Sequence, residues 1–191
     1  PMITTRWNQD APYNNMCPEL NGRRTYTGCV ATAMAQVMNY HEWPVRGTGS
    51  NKYTDKEGCG QELSANFGET TYRWDLMLDT YDANSSQESQ DAVATLMKHC
   101  GVAVDMSYYQ QASGALSGKA AEALVKYFGY PADVQILSRD YRSYDEWITL
   151  IKNEIDEGRP VLFGAQSTAG GHEFVIDGYF HVNWGWGGQS D

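Results

Sequence analysis

Three short stretches hold residue types that could do covalent chemistry. In Tyr26-Thr27-Gly28-Cys29-Val30-Ala31-Thr32-Ala33-Met34-Ala35-Gln36 a thiol stands where a loop becomes a helix. Unpaired backbone N–H groups and the positive end of a helix dipole favour thiolate over thiol at such a place, which is how a reactive cysteine is made. Far along the chain, Ala169-Gly170-Gly171-His172-Glu173-Phe174-Val175-Ile176-Asp177-Gly178 sets an imidazole at the head of a strand, behind glycines that let another backbone or a ligand come close. In Asn183-Trp184-Gly185-Trp186-Gly187-Gly188 an amide can hold the second nitrogen of that histidine, and an indole can shield the contact from water. Cys, His and Asn in that order make a nucleophile, a base and an orienter, the parts of acyl transfer through a thioester. Read alone, Cys29 is as well explained as a small buried hydrophobe. Its partners favour the reactive reading.

The elements that must position these groups follow from periodicity and caps. After Cys29, apolar residues at Val30, Ala33, Met34, Val37 and Met38 trace one buried helical face, opened by a Thr27 cap with Gly28 and closed ahead of Pro44. A helix is predicted around Trp74 to Tyr81. Ser86 caps another that carries Ala92, Val93, Leu96, Met97 and Cys100 inward and stops at Gly101, with a strand from Val102 to Met106 behind it. Tyr108 to Gly118 reads as a flexible loop, and Lys119 to Phe128 as a helix stopped by Gly129. Ser143-Tyr144-Asp145-Glu146 is a capping box, continued by Trp147, Ile148, Ile151 and Ile155 as far as Gly158. Past Pro160 the pattern changes to strands at Val161–Ala165, Glu173–Asp177 and Phe180–Trp184. Helices first and strands last predict an α+β arrangement, an antiparallel sheet packed on the Cys29 helix. Before the helix, Trp7 to Asn14 mixes aromatics and amides able to line a site. Gly47 to Thr71 is a surface excursion with a short hairpin. Apart from Asp177-Gly178 no turn chemistry separates the strands that meet at Tyr179-Phe180, and the chain stops at Gln189-Ser190-Asp191 behind a glycine-rich segment; further residues are expected at both places.

Composition bounds the function. The 191 residues suit a single domain over 1–191, and 41% hydrophobic with 20% charged residues is a globular balance. Against 24 acidic side chains stand 14 basic ones, a net charge of −10 that argues against nucleic acid and anionic membrane as partners. No apolar run is long enough for a membrane span, and no signal sequence opens the chain. Cys17, Cys29, Cys59 and Cys100 form no CxxC pair and no zinc spacing with the four histidines, so no metal site is expected. With Cys29 kept as a thiolate, one disulfide at most can form; Cys17 with Cys59 is the pair suggested, and Cys100 reads as core. His41 reads as a dipole partner at a helix C-terminus or a core residue, His99 as a helix-surface residue and His181 as packing. Glu173 either tunes the field around His172 or points to solvent.

Taken together, Asn8-Gln9, Thr27 to Gln36, Tyr40-His41, Pro44, Gly171-His172, Phe174 to Gly178 and His181 to Gly188 resemble the streptopain family of secreted bacterial papain-like cysteine proteases. The resemblance runs over nearly the whole chain. It implies a papain-like fold whose helical left part, with a central Cys-bearing helix, packs on an antiparallel β-sheet right part. It implies Cys29 as nucleophile, His172 as general base, and the Gln9 amide with the Cys29 N–H as oxyanion hole. Trp184 then packs beside the histidine, Asn183 orients it, Gly171 contacts substrate through its backbone, and Ser113 and Gly114 lie in a substrate-binding loop. At the position of Glu173 a small residue is common in the family.

The implied activity is a cysteine endopeptidase without cofactor, acting on proteins or peptides and favouring a hydrophobic residue two positions before the cut. Family members are secreted as zymogens inhibited by their own pro-segment. With none preceding Trp7, the chain reads as a mature enzyme, secreted, periplasmic or on the surface of a bacterium and tied to virulence. A thiol acyltransferase or amidase, and a catalytically silent binding protein on the same scaffold, are the competing readings.

Overall fold

The computed structural model describes residues 1–191. In chain order its elements are β1 (Glu19–Leu20), β2 (Arg23–Arg24), α1 (Cys29–His41), β3 (Ser50–Thr54), β4 (Glu62–Asn66), α2 (Gln87–Ala103), α3 (Ser117–Lys126), α4 (Tyr144–Asp156), β5 (Val161–Ser167), β6 (Gly170–Gly178) and β7 (His181–Asn183). Helix α1 is the centre. Every residue from Val30 to Met38 is buried, so the helix is enclosed all round and not on the one face that the apolar spacing predicts. Ala33 and Val37 meet Ile3 and Val175 on the sheet side. Val30, Ala31, Met34, Ala35 and Met38 enter the larger core with Phe67, Leu96, Met97 and Phe128. At about 1.5–3 kcal/mol for each large apolar side chain buried, this packing is what fixes α1, and Cys29 with it.

The start of α1 is built differently from the predicted Thr27 cap. Gly28 occupies the cap position at φ 88° with no side-chain cap, while the Thr27 hydroxyl shares a 2.8 Å hydrogen bond with Thr32. A Cβ at residue 28 would stand 2.6 Å from the Met106 sulfur, so only glycine fits that turn. The first N–H groups of the helix, that of Cys29 included, are left without a capping side chain.

Helix α2 starts at the Ser86 cap, whose hydroxyl accepts from the Ser89 N–H at 3.2 Å. It does not stop at Gly101: the helix runs on to Ala103, and no strand forms over Val102–Met106. The glycine serves packing instead, since a Cβ there would lie 2.0 Å from the Tyr108 hydroxyl. The helix expected around Trp74 to Tyr81 is a single 3₁₀ turn, Trp74–Leu76. The predicted hairpin in the Gly47–Thr71 excursion is β3 paired antiparallel with β4.

His99, read as a surface residue, is buried on α2, its Nδ1 2.8 Å from the Tyr72 hydroxyl and its ring edge-on to Phe67. Burial, helped by Lys98, holds the imidazole down at about 4 against an ordinary 6.5. The native state therefore keeps His99 neutral where the unfolded chain would protonate it. Stability from this site is complete above pH 6.5 and is lost as pH falls towards 4, a difference of about 3 kcal/mol. Urea midpoints measured across that range should fall much less for His99→Gln than for the parent protein.

The right part is the antiparallel sheet β5–β6–β7, with Val161 opposite Ile176 and Ala165 opposite His172. One face, carrying Glu173, Val175 and Leu162, turns to α1. The other carries His172, Phe174 and Phe163, with Trp147 of α4 against Phe163 at 5.9 Å. The capping box of α4 is formed as predicted, Ser143 accepting from the Glu146 N–H and Glu146 from the Ser143 N–H. Asp177 ties the N-terminal segment to β6 through the Ile3 N–H at 2.8 Å and holds His181 Nδ1 at 2.5 Å, so that histidine is anchored by a hydrogen bond as well as packing. His41 ends α1 at the surface, edge-on to Tyr40. All four cysteines are free thiols, which replaces the suggested Cys17–Cys59 pair; Cys100 is fully buried core.

Candidate active site

Four segments meet at the N-terminus of α1 around an open cleft of about 310 Å³. Asn8, Gln9 and Asp10 come from the N-terminal segment, Tyr26 and Cys29 from the entry to α1, Gln111 to Ser113 from the loop after α2, and Gly171, His172 and Trp186 from the sheet side. Backbone bonds hold these walls together. The Thr27 N–H donates to the Gln9 carbonyl and the Tyr26 N–H to the Tyr109 carbonyl, both at 3.1 Å, and the Gly187 N–H donates to the Trp7 carbonyl at 3.0 Å. Cys29 and His172, remote in sequence, thus face one solvent-open space.

Cys29 is half-buried, and the balance of forces on its thiol differs from the expectation of a favoured thiolate. Burial, the largest influence, pushes the thiol up, and the nearby Glu173 carboxylate adds to this. The backbone N–H groups of Glu173, Val30 and Cys29 act the other way without overcoming it. A thiolate here therefore needs a cation beside it, and His172 is the one basic side chain lining the cleft.

His172 is held by main chain, not by an amide. Its Nε2 lies 2.9 Å from the Trp184 carbonyl oxygen, which can only accept, so Nε2 carries the proton. Nδ1 makes no hydrogen bond within the protein. The ring stacks on Trp186 at 4.9 Å between centroids, on Phe174 at 5.9 Å and on Trp184 at 6.2 Å. Trp186, not Trp184, is thus the nearer indole and the one lining the cleft. Trp184, expected from the resemblance to pack beside the histidine, does stack on it, and Trp186, which had no such expectation, stacks closer.

Asn183 does not touch His172, contrary to its predicted role as orienter. Its Oδ1 accepts from Gln36 Nε2 at 2.9 Å and from the Gly185 N–H at 3.0 Å, and its Nδ2 donates to the Thr5 carbonyl at 2.8 Å. Gln36 in turn accepts from the Thr5 hydroxyl at 2.9 Å. Asn183 nevertheless acts on the histidine at one remove. The Gly185 N–H it grips belongs to the same planar peptide unit as the Trp184 carbonyl, and in a trans peptide the two point in opposite directions. Fixing the N–H end aims the carbonyl end at Nε2.

The loop residues divide. Ser113 lines the cleft, but its hydroxyl is committed to the loop, donating to the Tyr26 carbonyl at 2.7 Å and accepting from the Tyr109 N–H at 3.0 Å. Gly114 lies outside the cleft, paired with Ser107 in an antiparallel bridge. Gly171 is exposed at the rim and Gln9 half-buried in the wall. Tyr26, Asp10, Gln111 and Ala112 also line the space; Asp10 falls in the Trp7–Asn14 stretch expected to line a site, and Tyr26 had its nearness to Cys29 as a signal.

The sequence profile described as "Peptidase C10 family" matches residues 7–191. Streptopain of Streptococcus pyogenes is 35% identical over 205 residues, 97% of this chain and 52% of that protein. The thiol protease/hemagglutinin PrtT of Porphyromonas gingivalis is 37% identical over 192 residues, 97% of this chain and 22% of that protein. The chain thus spans about half the length of streptopain and about a fifth of PrtT. Among solved structures, a prointerpain A fragment of Prevotella intermedia superposes with a TM-score of 0.92 at 41% identity, covering all of this chain and 62% of that one.

Proposed function

The chain belongs to the Peptidase C10 family, and from that premise and the cleft geometry we propose that it acts as a cysteine endopeptidase. The observation that carries the reading is the pairing of two features in one open cleft: a half-buried Cys29 at a helix start, and a His172 whose Nε2–H is committed to the Trp184 carbonyl. That commitment leaves Nδ1 as the only ring nitrogen able to exchange a proton with the sulfur.

The sulfur attacks the scissile carbonyl carbon while His172 holds the thiol proton. The oxygen, now negative, lies against the Cys29 N–H and the Gln9 side-chain amide. As the carbonyl reforms, the C–N bond breaks, His172 gives its proton to the departing amine, and a thioester remains. Water then attacks the thioester with His172 taking its proton, releasing the acid and restoring the thiol. Trp186 and Phe174 cover the faces of the imidazole, and Asn183 positions it through the Trp184–Gly185 peptide. Gly171 offers main-chain contact to the bound peptide, and Ser113 shapes the facing loop.

Protein or peptide substrates, inhibition by a pro-segment of the same polypeptide and export from a bacterium belong to this reading. It is supported by the likeness to a pro-form in the solved structures and by bacterial relatives. No helix is long and apolar enough to cross a membrane.

Incubation with casein, with products sequenced by mass spectrometry and Cys29 titrated by iodoacetamide, tests the proposal. Stoichiometric labelling together with internal cleavage is the expected result. Labelling without cleavage would sink the endopeptidase reading in favour of acyl transfer to an amine, and neither would favour a silent scaffold. Gln9→Ala should lower kcat by about 10²–10³. The rate of iodoacetamide labelling, which develops no oxyanion, should be nearly unchanged.

A further inference from the structure

One buried ionisable group is left unused by this chemistry, the carboxyl of Glu173. It is 4% exposed and follows His172 directly, but the strand alternation turns it to the opposite face of β6. Two residues on, Val175 shares that face and packs against Ala33 and Val37. Glu173 therefore lies against the first turn of α1, where its N–H and its charge both act on the Cys29 sulfur. Its Oε2 accepts from the Ser117 hydroxyl at 2.5 Å.

Three further observations describe an incomplete environment. First, no lysine, arginine or histidine pairs with this carboxylate; Lys119, on the same helix as Ser117, is bound to Asp105. Second, Oε1 has no hydrogen-bond partner, yet the only enclosed side-chain polar atoms without one are the hydroxyls of Tyr108 and Tyr130, so Oε1 keeps a path to solvent. Third, the residue opposite on β5 is the exposed Gly164, where a Cβ would lie 2.8 Å from Glu173 Oε2 and 2.9 Å from the Ser117 oxygen. Glycine there leaves the room that the carboxyl and the Ser117 hydroxyl occupy.

A buried carboxylate without a cation is costly, and burial indeed pushes this carboxyl up despite the Ser117 hydroxyl. The neighbouring cleft is lined by the acidic Asp10 and by no lysine or arginine.

We propose that Glu173 is the specificity-determining floor of a substrate side-chain site beside Cys29, and that this site takes the cationic side chain of lysine or arginine. The inference rests on the thiol-peptidase reading of the cleft. It departs from the hydrophobic preference that the family resemblance implies, because a side chain reaching Glu173 meets a carboxylate with an unused oxygen. Such a cation also neutralises the charge that disfavours the Cys29 thiolate. The correct substrate thus sharpens the nucleophile that attacks it.

The test uses peptidyl acyloxymethyl ketones carrying lysine or leucine at either of the two positions before the reactive carbon. The readout is the rate of Cys29 alkylation by intact mass, which requires no hydrolysis. At one position the wild-type protein should react about tenfold or more faster with the lysine probe than with the leucine probe. Glu173→Ala should abolish or reverse that ratio, and Glu173→Gln should bring it near unity. Gly164→Ala, which keeps the carboxyl but pushes a methyl group against Oε2 and the Ser117 hydroxyl, should lower the ratio in a protein with an unchanged circular dichroism spectrum, so the result does not depend on Glu173→Ala folding. Leucine preferred at both positions in the wild type, or ratios that none of the three substitutions moves, would overturn the proposal. Lysine selectivity without casein cleavage would remove the endopeptidase reading and leave the cationic site standing.

Discussion

Cys29→Ala is expected to reduce kcat for peptide cleavage by about 10⁵–10⁶, to the level that binding and oxyanion contacts alone can sustain. Without the sulfur no thioester forms, and neither His172 nor Gln9 can replace it: an imidazole ring held by the Trp184 carbonyl and stacked on Trp186 is fixed in place. The fold should not register the change. Cys29 is half-buried at the edge of the core, and the helix it begins is held by Val30 to Met38 behind it, so stability should move by less than about 1 kcal/mol. Single-turnover cleavage of a fluorogenic peptide beside a urea titration checks both halves. Full activity in the alanine variant would end the proposed mechanism. Cys17 and Cys100, both buried and with thiols pushed up by burial, offer no substitute nucleophile.

Asn183→Ala is expected to show the second largest effect, and on two axes. The amide is 2% exposed and satisfies three groups at once: Gln36 Nε2, the Gly185 N–H and the Thr5 carbonyl. Alanine strands all three. At about 1–3 kcal/mol for each buried group left unpaired, with some relief by relaxation, the loss of stability should be about 3 kcal/mol or more. The kinetic effect travels through the Trp184–Gly185 peptide. Once its N–H end is free the carbonyl is no longer aimed at His172, and a base that loses its orienting acceptor costs about 10²–10⁴ in kcat.

A structural role alone would lower the amount of active enzyme and leave each active molecule as fast as before. A positioning role lowers kcat per active site as well. Active-site titration beside steady-state rates separates the two. An unchanged kcat per titrated site would show that Asn183 serves the fold only.

Gln36 belongs to the same argument. It is fully buried in the middle of α1, with Thr32 one of two polar residues in the buried stretch Val30–Met38, and it joins that helix to the N-terminal segment and to the loop that holds His172. The helix that begins with the proposed nucleophile therefore also braces, through one amide pair, the carbonyl that orients the proposed base. Moving α1 relative to the sheet would disturb both partners together.

What the sequence determined by itself is whatever short-range chemistry controls. The apolar spacing after Cys29 gives α1, Ser143 with Glu146 gives the start of α4, and the alternation after Pro160 gives β5, β6 and β7, since caps and periodicities are satisfied within a few residues. Cys29 and His172 were legible as a pair because few other readings suit a thiol at a helix start and an imidazole behind two glycines. The tertiary structure alone decided where polar and aromatic groups find partners. Gly101 does not stop α2 because the helix gains from packing against Tyr108, and His99 is drawn inside by the Tyr72 hydroxyl. Asn183 turned from His172 to Gln36, Gly185 and Thr5, and Trp186 came nearer the imidazole than Trp184. A hydrogen bond or a ring stack depends on groups brought within a few ångströms by the whole fold, and residue type states only what a side chain can bond, not which partner will be there.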